Sequence, residues 1–325
     1  MAVLVFAEST EGTFKKATRE AVYFASKIAE TIGKELITLV MGTVADDQLA
    51  GLGKVGAGKV LHVNDSRFDR FDSGAFAKAV AEVAGKVQAQ VVVMPFSANG
   101  KALGPRLSAR LKAGIVPGAI SLPETNGAFV VKKSVFSGKA IAHFVIKTPV
   151  KIISLNPNSI QVTTVDKTAT VEPITVSVQD SDFKVQVIGQ EKEAQGVPLP
   201  EAEIVVSGGR GLKGPENWGM IEELAKVLGA ATACSRAVSD VHWRPHHEHV
   251  GQTGLTIRPN LYIAIAISGA IQHLAGVSGS KYIVVINNDP EAPFFKYADY
   301  GIVGDAFEVV PKLTAAFKKY FESNN

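Results

Sequence analysis

Residues 261–277 read Leu-Tyr-Ile-Ala-Ile-Ala-Ile-Ser-Gly-Ala-Ile-Gln-His-Leu-Ala-Gly-Val. The first seven residues form a short apolar run, which is typical of a strand buried on both faces of a sheet. A Ser-Gly turn follows, and a helix is predicted to open over residues 269–276. A strand that passes through a glycine turn into a helix is the building block of parallel α/β sheets. This segment therefore predicts an α/β fold.

The same alternation of strand and helix continues on both sides of this segment. In the second half of the chain, further strands are predicted at 203–207, 282–287 and 300–303, with helices at 216–228 and 309–320. In the first half, strands are predicted at 3–8, 36–41, 60–63 and 91–96, separated by apolar residues at helical spacing. The prediction is two α/β domains, each built on a mainly parallel, doubly wound (Rossmann-like) sheet with flanking helices.

Residues beyond about 118 depart from this alternation. Several β-rich segments follow one another too closely for parallel crossovers, so we expect antiparallel additions to the first domain. A polar, proline-containing stretch at 190–200 is the predicted boundary between domains 1–190 and 198–325. The β-rich segments are 128–136, 139–147, 150–155, 160–165 and 183–188.

Composition excludes several classes of protein. The net charge is +3, and residues 101–150 carry eight basic side chains against Glu124 alone, but no aromatic interleaving or DNA-binding helix pattern accompanies them. We expect a solvated or partner-facing surface and no nucleic acid. The longest apolar runs, such as 261–267, are too short to span a membrane. One cysteine, Cys234, excludes an internal disulfide, and the strand-like start without a presequence predicts a cytoplasmic protein.

Three glycine- or asparagine-containing turns follow strands of the second domain, where ligands of open α/β sheets bind. They lie at 205–212 (Val-Val-Ser-Gly-Gly-Arg-Gly-Leu), 267–273 and 286–290 (Ile-Asn-Asn-Asp-Pro). Arg210 offers a forked donor to a phosphate, and Ser268 is placed to cap a helix whose free amides bind an anion. The first two turns match neither G-x-G-x-x-G nor the P-loop, so a purely structural role is an equal alternative.

A polar stretch, 234–249, separates the first two turns. His246, His247, Glu248 and His249 raise the question of a metal site, but their spacing does not match H-E-x-x-H and no second cluster completes the ligand set. A solvated or partner-contacting loop is the favoured interpretation, with no metal. Cys234 is interpreted as a buried thiol rather than a nucleophile.

Taken together, these motifs resemble the alpha subunit of electron-transfer flavoproteins. The resemblance runs in order and at near-constant spacing over about residues 200–312, while residues 1–190 match in length and alternation. The motifs are 206–213 (Val-Ser-Gly-Gly-Arg-Gly-Leu-Lys), Ser235-Arg236, 250–254 (Val-Gly-Gln-Thr-Gly), 262–264, 267–276, 287–293 and 298–303 (Ala-Asp-Tyr-Gly-Ile-Val).

The resemblance implies an electron carrier rather than an enzyme, with FAD held by the second domain and a beta subunit bound through the first. It implies transient partners as well: flavoprotein dehydrogenases of the acyl-CoA dehydrogenase type, as in fatty-acid beta-oxidation, and a quinone oxidoreductase. The resemblance also implies a protein that is not embedded in a membrane. The cofactor-binding residues implied by motif position are Arg210, Ser235, Arg236, Val250, Gly251, Gln252, Thr253, Ser268, Gly269, Ala270, Ile271, Gln272, His273, Asn287, Asp305 and Ala306.

Within that set, the resemblance divides the roles. Arg210, Ser268, Asn287 and Asp305 are expected along the pyrophosphate and ribityl chain, and Arg236, Gln252, Thr253 and His273 around the isoalloxazine. A guanidinium or imidazole there favours the negative charge that a flavin gains on reduction. The chain departs from the family at Leu255, where a lysine is common, and in the extra Trp and His residues of 241–249.

Two other functions remain as alternatives. A stand-alone α/β nucleotide-binding oxidoreductase, or an adenine-nucleotide hydrolase, fits the glycine turns but lacks the dinucleotide fingerprint. A metal-dependent hydrolase built on the histidine loop lacks three convergent ligands and a base.

Overall fold

The computed structural model describes residues 1–136, 138–185, 187–189 and 198–324. They form two compact units, one containing residues 1–135, 141–185 and 187–189 and the other containing residues 136, 138–140 and 198–324. Each unit is built on a largely parallel sheet flanked by helices, so the predicted α/β class with antiparallel additions is confirmed. The boundary predicted at 190–200 lies mostly outside the described residues, and the exact domain limits stay a prediction.

The first unit is organised around a nine-stranded sheet, ordered β7-β6-β5-β8-β4-β1-β2-β3-β9. The pairs from β5 through β8, β4, β1, β2 and β3 to β9 are parallel, and β5 pairs with β6 in antiparallel fashion. The strands are β1 (Ala2–Phe6), β2 (Glu35–Met41), β3 (Lys59–Val63), β4 (Ala89–Pro95), β5 (Gly114–Ala119), β6 (Val130–Val135), β7 (Ala140–Val145), β8 (Lys151–Leu155) and β9 (Thr170–Pro173). The helices are α1 (Lys16–Ile32), α2 (Asp46–Gly51), α3 (Ser73–Lys86) and α4 (Ala98–Leu111).

Three predictions for the β-rich region were wrong. The strand expected at 150–155 as an antiparallel addition is β8, which pairs in parallel with both β4 and β5. The two strands β6 and β7, which lie between β5 and β8 in sequence, supply the length that the parallel crossover into β8 needs, in place of a helix. The described residues of the other two segments, 160–165 and 183–188, form no strand.

The crevice at the switch point of the first sheet holds one of the protein's own side chains. Within the sheet, β2 and β3 lie on one side of β1 and β4 lies on its other side, so the strand order reverses between β1 and β4. Beyond the carboxyl ends of β1 and β4, the Glu8 carboxylate accepts hydrogen bonds from Ser97 Oγ (2.5 Å) and Asn99 Nδ2 (2.6 Å). Ser97 also caps α4, since its Oγ accepts a hydrogen bond from Gly100 N (2.9 Å).

The second unit is built on a five-stranded parallel sheet, ordered β11-β10-β12-β13-β14. The central strand, β12, is almost inaccessible to solvent, as its continuous apolar sequence predicts. Because every pair is parallel, all five carboxyl ends lie along one edge of the sheet. The strands are β10 (Ile204–Gly208), β11 (Ala231–Cys234), β12 (Leu261–Ile265), β13 (Tyr282–Asn287) and β14 (Tyr300–Val303). The helices are α5 (Gly219–Leu228), α6 (Arg236–Ser239), α7 (Ile271–Val277) and α8 (Ala306–Asn324).

None of the helices in the described part of the chain is long and apolar enough to span a membrane.

Candidate functional site

The carboxyl ends of β10, β12 and β13 open into one cavity of about 590 Å³ in the second unit. The three turns that the sequence singled out contribute to its wall, together with the segment 250–253 and α7. Twelve of the sixteen predicted cofactor-binding residues line this cavity: Arg210, Ser235, Arg236, Val250, Gly251, Gln252, Thr253, Ser268, Ala270, Gln272, His273 and Asn287.

The other four predicted residues are not among those that line the cavity. Gly269 is buried, and a Cβ there would lie 2.4 Å from the Cβ of Phe294. Ile271 is the half-exposed first residue of α7. Asp305 precedes α8, where its Oδ1 accepts a hydrogen bond from Phe307 N (2.9 Å), and Ala306 is buried at the first position of that helix.

The turn after β10 lies directly against the end of β12. A Cβ on Gly209 would come 2.1 Å from the Ala266 carbonyl oxygen, so only glycine fits between the two turns. This close approach leaves Arg210 exposed on the cavity wall. No hydrogen bond or ion pair joins its guanidinium to any other described residue, which leaves its donors available to a ligand.

The turn after β12 begins with a strained residue. Ala266 has a φ of +54°, a left-handed conformation that alanine seldom adopts and that clusters at ligand sites. The prediction that Ser268 caps the following helix was wrong. The helix α7 begins two residues later, at Ile271, and its N-cap, Ala270, offers no side-chain hydrogen bond. Ser268 is instead exposed on the cavity wall.

Asn287 joins the turns after β12 and β13. Its Nδ2 donates to the Ile267 carbonyl oxygen (3.0 Å), and its Oδ1 accepts from Asp289 N (3.0 Å). The side chain is 8% exposed, so it holds the shape of the cavity edge while presenting little surface of its own.

His273 is the most deeply buried polar side chain that was predicted for the site. Its Nε2 lies 2.8 Å from the Tyr262 hydroxyl, and its buried Nδ1 has no hydrogen-bond partner among the described residues. Burial lowers the pKa of His273 to about 4, and the neighbouring His249 adds to the effect. The imidazole is therefore neutral at pH 7 and acts at the site as a hydrogen-bonding group rather than as a fixed charge.

Arg236 lines the cavity and also pairs with Asp240. Its Nε lies 3.2 Å from Asp240 Oδ2, one turn along α6, and its side chain is 64% exposed. The guanidinium thus lies at the solvent-facing rim of the cavity with a carboxylate beside it.

The segment 246–249 was expected to be a solvated or partner-contacting loop, but only half of its residues are exposed. His246 and His247 are exposed, but Glu248 and His249 are 7% and 3% exposed. Arg244 draws Glu248 inward through two contacts, of 2.6 and 2.8 Å. His249 pairs as an isolated parallel bridge with Cys234 at the end of β11.

Burial raises the pKa of the Cys234 thiol to about 12, and the nearby Glu248 carboxylate acts in the same direction. A thiol with such a pKa is not a nucleophile at neutral pH. In the part of the chain that the structure describes, no group of three or more His, Cys, Asp or Glu side chains is arranged to hold a metal ion.

The sequence interpretation missed several residues of the cavity wall. Gly211, Ile267 and Asp289 belong to the three strand-following turns that the sequence singled out, so their position beside Arg210, Ser268 and Asn287 was the available signal. The others are Ala266, which directly precedes the second turn, His249, which directly precedes the segment 250–253, and Ala237 and Asp240.

An open parallel sheet with a polar cavity at its carboxyl edge is the arrangement in which α/β proteins bind their ligands, nucleotides and dinucleotides among them. Comparison with known families narrows this class. Residues 3–181 match the electron transfer flavoprotein domain, and residues 198–278 match the electron transfer flavoprotein FAD-binding domain.

Individual relatives agree along nearly the whole chain. The electron transfer flavoprotein subunit alpha of Bacillus subtilis is 40% identical, over 98% of this chain and 97% of its own length. The subunit of the same name from Thermoanaerobacterium thermosaccharolyticum is 37% identical, over 98% of each chain. Protein FixB of Clostridium saccharobutylicum is 34% identical, over 98% of this chain and 96% of its own. The chain belongs to the electron transfer flavoprotein alpha-subunit family.

Proposed function

We propose that this chain is the FAD-binding subunit of a heterodimeric electron-transfer flavoprotein, completed by a beta subunit. It carries electrons in the cytoplasm from flavoprotein dehydrogenases of the acyl-CoA dehydrogenase type to a quinone oxidoreductase. The observation that carries the proposal is the cavity at the carboxyl edge of the second sheet, whose wall contains twelve of the residues implied by the family motifs.

The residues of this cavity fit a flavin dinucleotide. Arg210 supplies a guanidinium, whose donors are unpaired within the described residues, at the turn where a pyrophosphate is expected, and the exposed hydroxyl of Ser268 lies on the same wall. Two buried nitrogen atoms, the Nδ1 of His249 and of His273, have no partner in the described chain and await a polar ligand. Gln252 and Thr253 present exposed amide and hydroxyl groups beside them.

The bound flavin supplies one-electron and two-electron chemistry, and the protein binds, orients and tunes it. Arg210 holds the pyrophosphate, while Asn287 keeps the turns after β12 and β13 at a fixed separation. His273, fixed by Tyr262, offers its Nδ1 to the ring, and Thr253 offers a hydroxyl that both donates and accepts.

The proposal is tested by co-expressing the chain with its beta subunit and purifying the complex. We expect a 1:1 heterodimer with stoichiometric FAD in its visible spectrum, and a chain that is poorly behaved when expressed alone. A soluble monomer that keeps stoichiometric FAD on size exclusion would contradict the heterodimer and favour a stand-alone oxidoreductase.

We expect Arg210→Ala to weaken FAD binding by roughly tenfold or more, because a charge-assisted hydrogen bond contributes about 1.5–3 kcal/mol. The measurement is a calorimetric titration of the FAD-stripped heterodimer. Lys226→Ala, an exposed position on α5 away from the cavity, is the matched control and should leave the affinity unchanged. Unchanged affinity in the Arg210 variant would remove this residue from the pyrophosphate site.

We expect Arg236→Ala to lower the one-electron potential of bound FAD while leaving FAD content intact. The exposed ion pair with Asp240 screens this charge, so the effect is roughly 1 kcal/mol, or about 40 mV for one electron. Arg236→Lys should recover part of the loss because it keeps the charge. Spectroelectrochemical titration measures the shift, and an unshifted potential in the Ala variant would mean that Arg236 does not act on the flavin.

A further inference from the structure

A second imidazole lies in the cavity wall beside the residues that the family motifs imply. His249 is 3% exposed, and its buried Nδ1 has no hydrogen-bond partner among the described residues. His273, on α7, has an unpartnered buried Nδ1 as well. Two unsatisfied imidazole nitrogens in one cavity are unusual, since buried polar atoms are ordinarily paired.

The His249 ring is held in place by backbone rather than by side chains. A Cβ on Gly254 would come 2.8 Å from its Cγ and Nδ1, and one on Gly251 would come 3.4 Å from its Nε2. Its carbonyl oxygen accepts a hydrogen bond from Leu255 N (2.8 Å). The ring therefore packs within the same turn that presents Gln252 and Thr253 to the cavity.

His249 also has a neighbour that reaches solvent. The His246 ring is exposed, and its centroid lies 5.4 Å from that of His249. The Oγ of Ser239 lies 3.4 Å from His246 Nδ1 and orients this outer ring. His246 therefore packs against the buried imidazole from the solvent side.

The two buried imidazoles differ in their freedom to change charge. His273 is tied at Nε2 to Tyr262, whose hydroxyl is fully buried and keeps its proton because burial raises its pKa well above the usual range. His249 has no such partner. Burial lowers the pKa of His249, with His246 contributing, so this imidazole is also biased toward its neutral form.

We propose that His249 takes up one proton from solvent, by way of His246, each time FAD held in this cavity accepts one electron. The inference rests on the proposed function, because it requires the flavin in this cavity. The electron comes from the reductant, and the proton forms an N–H bond on the imidazole. The negative charge that the flavin gains beside His249 offsets the energetic cost of protonating a buried imidazole, since an opposite charge nearby favours the protonated ring. The net charge of the site is unchanged by the step.

The charged side chains near His249 keep the same charge when the flavin is reduced, so the flavin supplies the change in charge. Asp240 favours the protonated ring, whereas Arg236 and His246 oppose it. The Glu248 carboxylate is already paired with Arg244. The titratable or charged groups that act on His249 or pair with its segment are Cys234 on β11, Arg236 on α6, Asp240 directly after α6, His246 on the adjoining loop and His273 on α7.

The test measures the one-electron reduction potential of the FAD-loaded heterodimer between pH 5 and pH 8. In the wild type we expect the potential to fall by 59 mV per pH unit over part of this range. That slope corresponds to a tenfold change in the equilibrium constant for one-electron reduction. His249→Gln should remove this slope while retaining FAD. His247→Gln, the exposed neighbour on the same turn, is the matched control and should keep it. His246→Gln should keep the slope but slow proton uptake in a stopped-flow experiment.

Several outcomes would overturn the inference. A pH-independent wild-type potential is one, and a wild-type slope in His249→Gln is another. If that variant does not fold, coulometric reduction of the wild type with a pH indicator decides the matter: one proton per electron supports the inference and none overturns it. A visible spectrum of a flavin ring that itself carries the proton also overturns it. A heterodimer that purifies without FAD contradicts the proposed function, whereas a loaded heterodimer with no slope contradicts only the role of His249.

Discussion

We expect Gly276→Ala to weaken FAD binding by roughly a hundredfold or more. This factor corresponds to the loss of two hydrogen bonds to FAD of about 1.5 kcal/mol each. Gly276 lies in α7, and a Cβ there would come 2.5 Å from Gly251 N and 2.6 Å from Gly251 Cα. Because backbone cannot yield as a side-chain tip does, α7 must move away from the segment 250–253. That movement separates Gln272 and His273 from the opposite wall of the cavity, and overpacking of this kind costs about 1–3 kcal/mol of unfolding free energy.

The measurements are a calorimetric FAD titration and a denaturant unfolding curve for the Gly276→Ala protein. Gly219→Ala is the matched control, since Gly219 also lies in a helix of the second unit and no atom lies within 4 Å of a Cβ added there. Wild-type FAD affinity in the Gly276 variant would show that the close contact between α7 and Gly251 is not needed for the site.

Acidification from pH 7 to pH 4 is expected to remove up to about 3 kcal/mol of unfolding free energy through His273 alone. Burial lowers the pKa of this imidazole from 6.5 to about 4. Between these values the unfolded chain binds a proton that the folded chain does not. The contribution of His273 is therefore fully present above pH 6.5 and is lost as the pH falls toward 4.

The test compares the FAD-stripped wild type with His273→Gln, which keeps a hydrogen-bonding side chain but does not titrate. Both tryptophans of the chain, Trp218 and Trp243, lie in the second unit, so their fluorescence follows the unfolding of that unit. His242→Asn is the control: His242 is exposed, with a φ of +57° that asparagine tolerates. Equal pH dependence in wild type and His273→Gln would refute the expectation.

The fold could be predicted where a strand is apolar and a helix is periodic, as in β12 and the helices around it. It could not be predicted where the sequence of a strand resembles that of a turn. The strand β5 contains Gly114, Pro117 and Gly118, which are turn-forming residues, yet it lies between β6 and β8 in the sheet. The parallel direction of β8 could not be predicted either, because the sequence of a strand does not determine which strands it pairs with.

The candidate site could likewise be predicted only where local sequence determines the position of a residue. Turns after parallel strands must meet at one edge, so Arg210, Ser268 and Asn287 were expected together and line one cavity. His249 was missed because its burial depends on tertiary contacts. The pairing of Arg244 with Glu248 and the bridge from His249 to Cys234 carry a polar segment into the interior. Asp305 was predicted from motif position alone; its carboxylate accepts a hydrogen bond from Phe307 N at the start of α8, and its role toward a cofactor stays a prediction.

The Glu8 carboxylate gives the two sheets of this chain opposite electrostatic preferences. An anion that approaches the crevice of the first sheet meets a negative group already engaged by Ser97 and Asn99. An anion that approaches the edge of the second sheet meets the guanidinium of Arg210, which pairs with no described residue, although Asp240 and Asp289 lie on the same cavity wall. Like charges repel and opposite charges attract with comparable strength at equal distance. These two side chains therefore favour a phosphate group at the crevice of the second sheet over one at the crevice of the first.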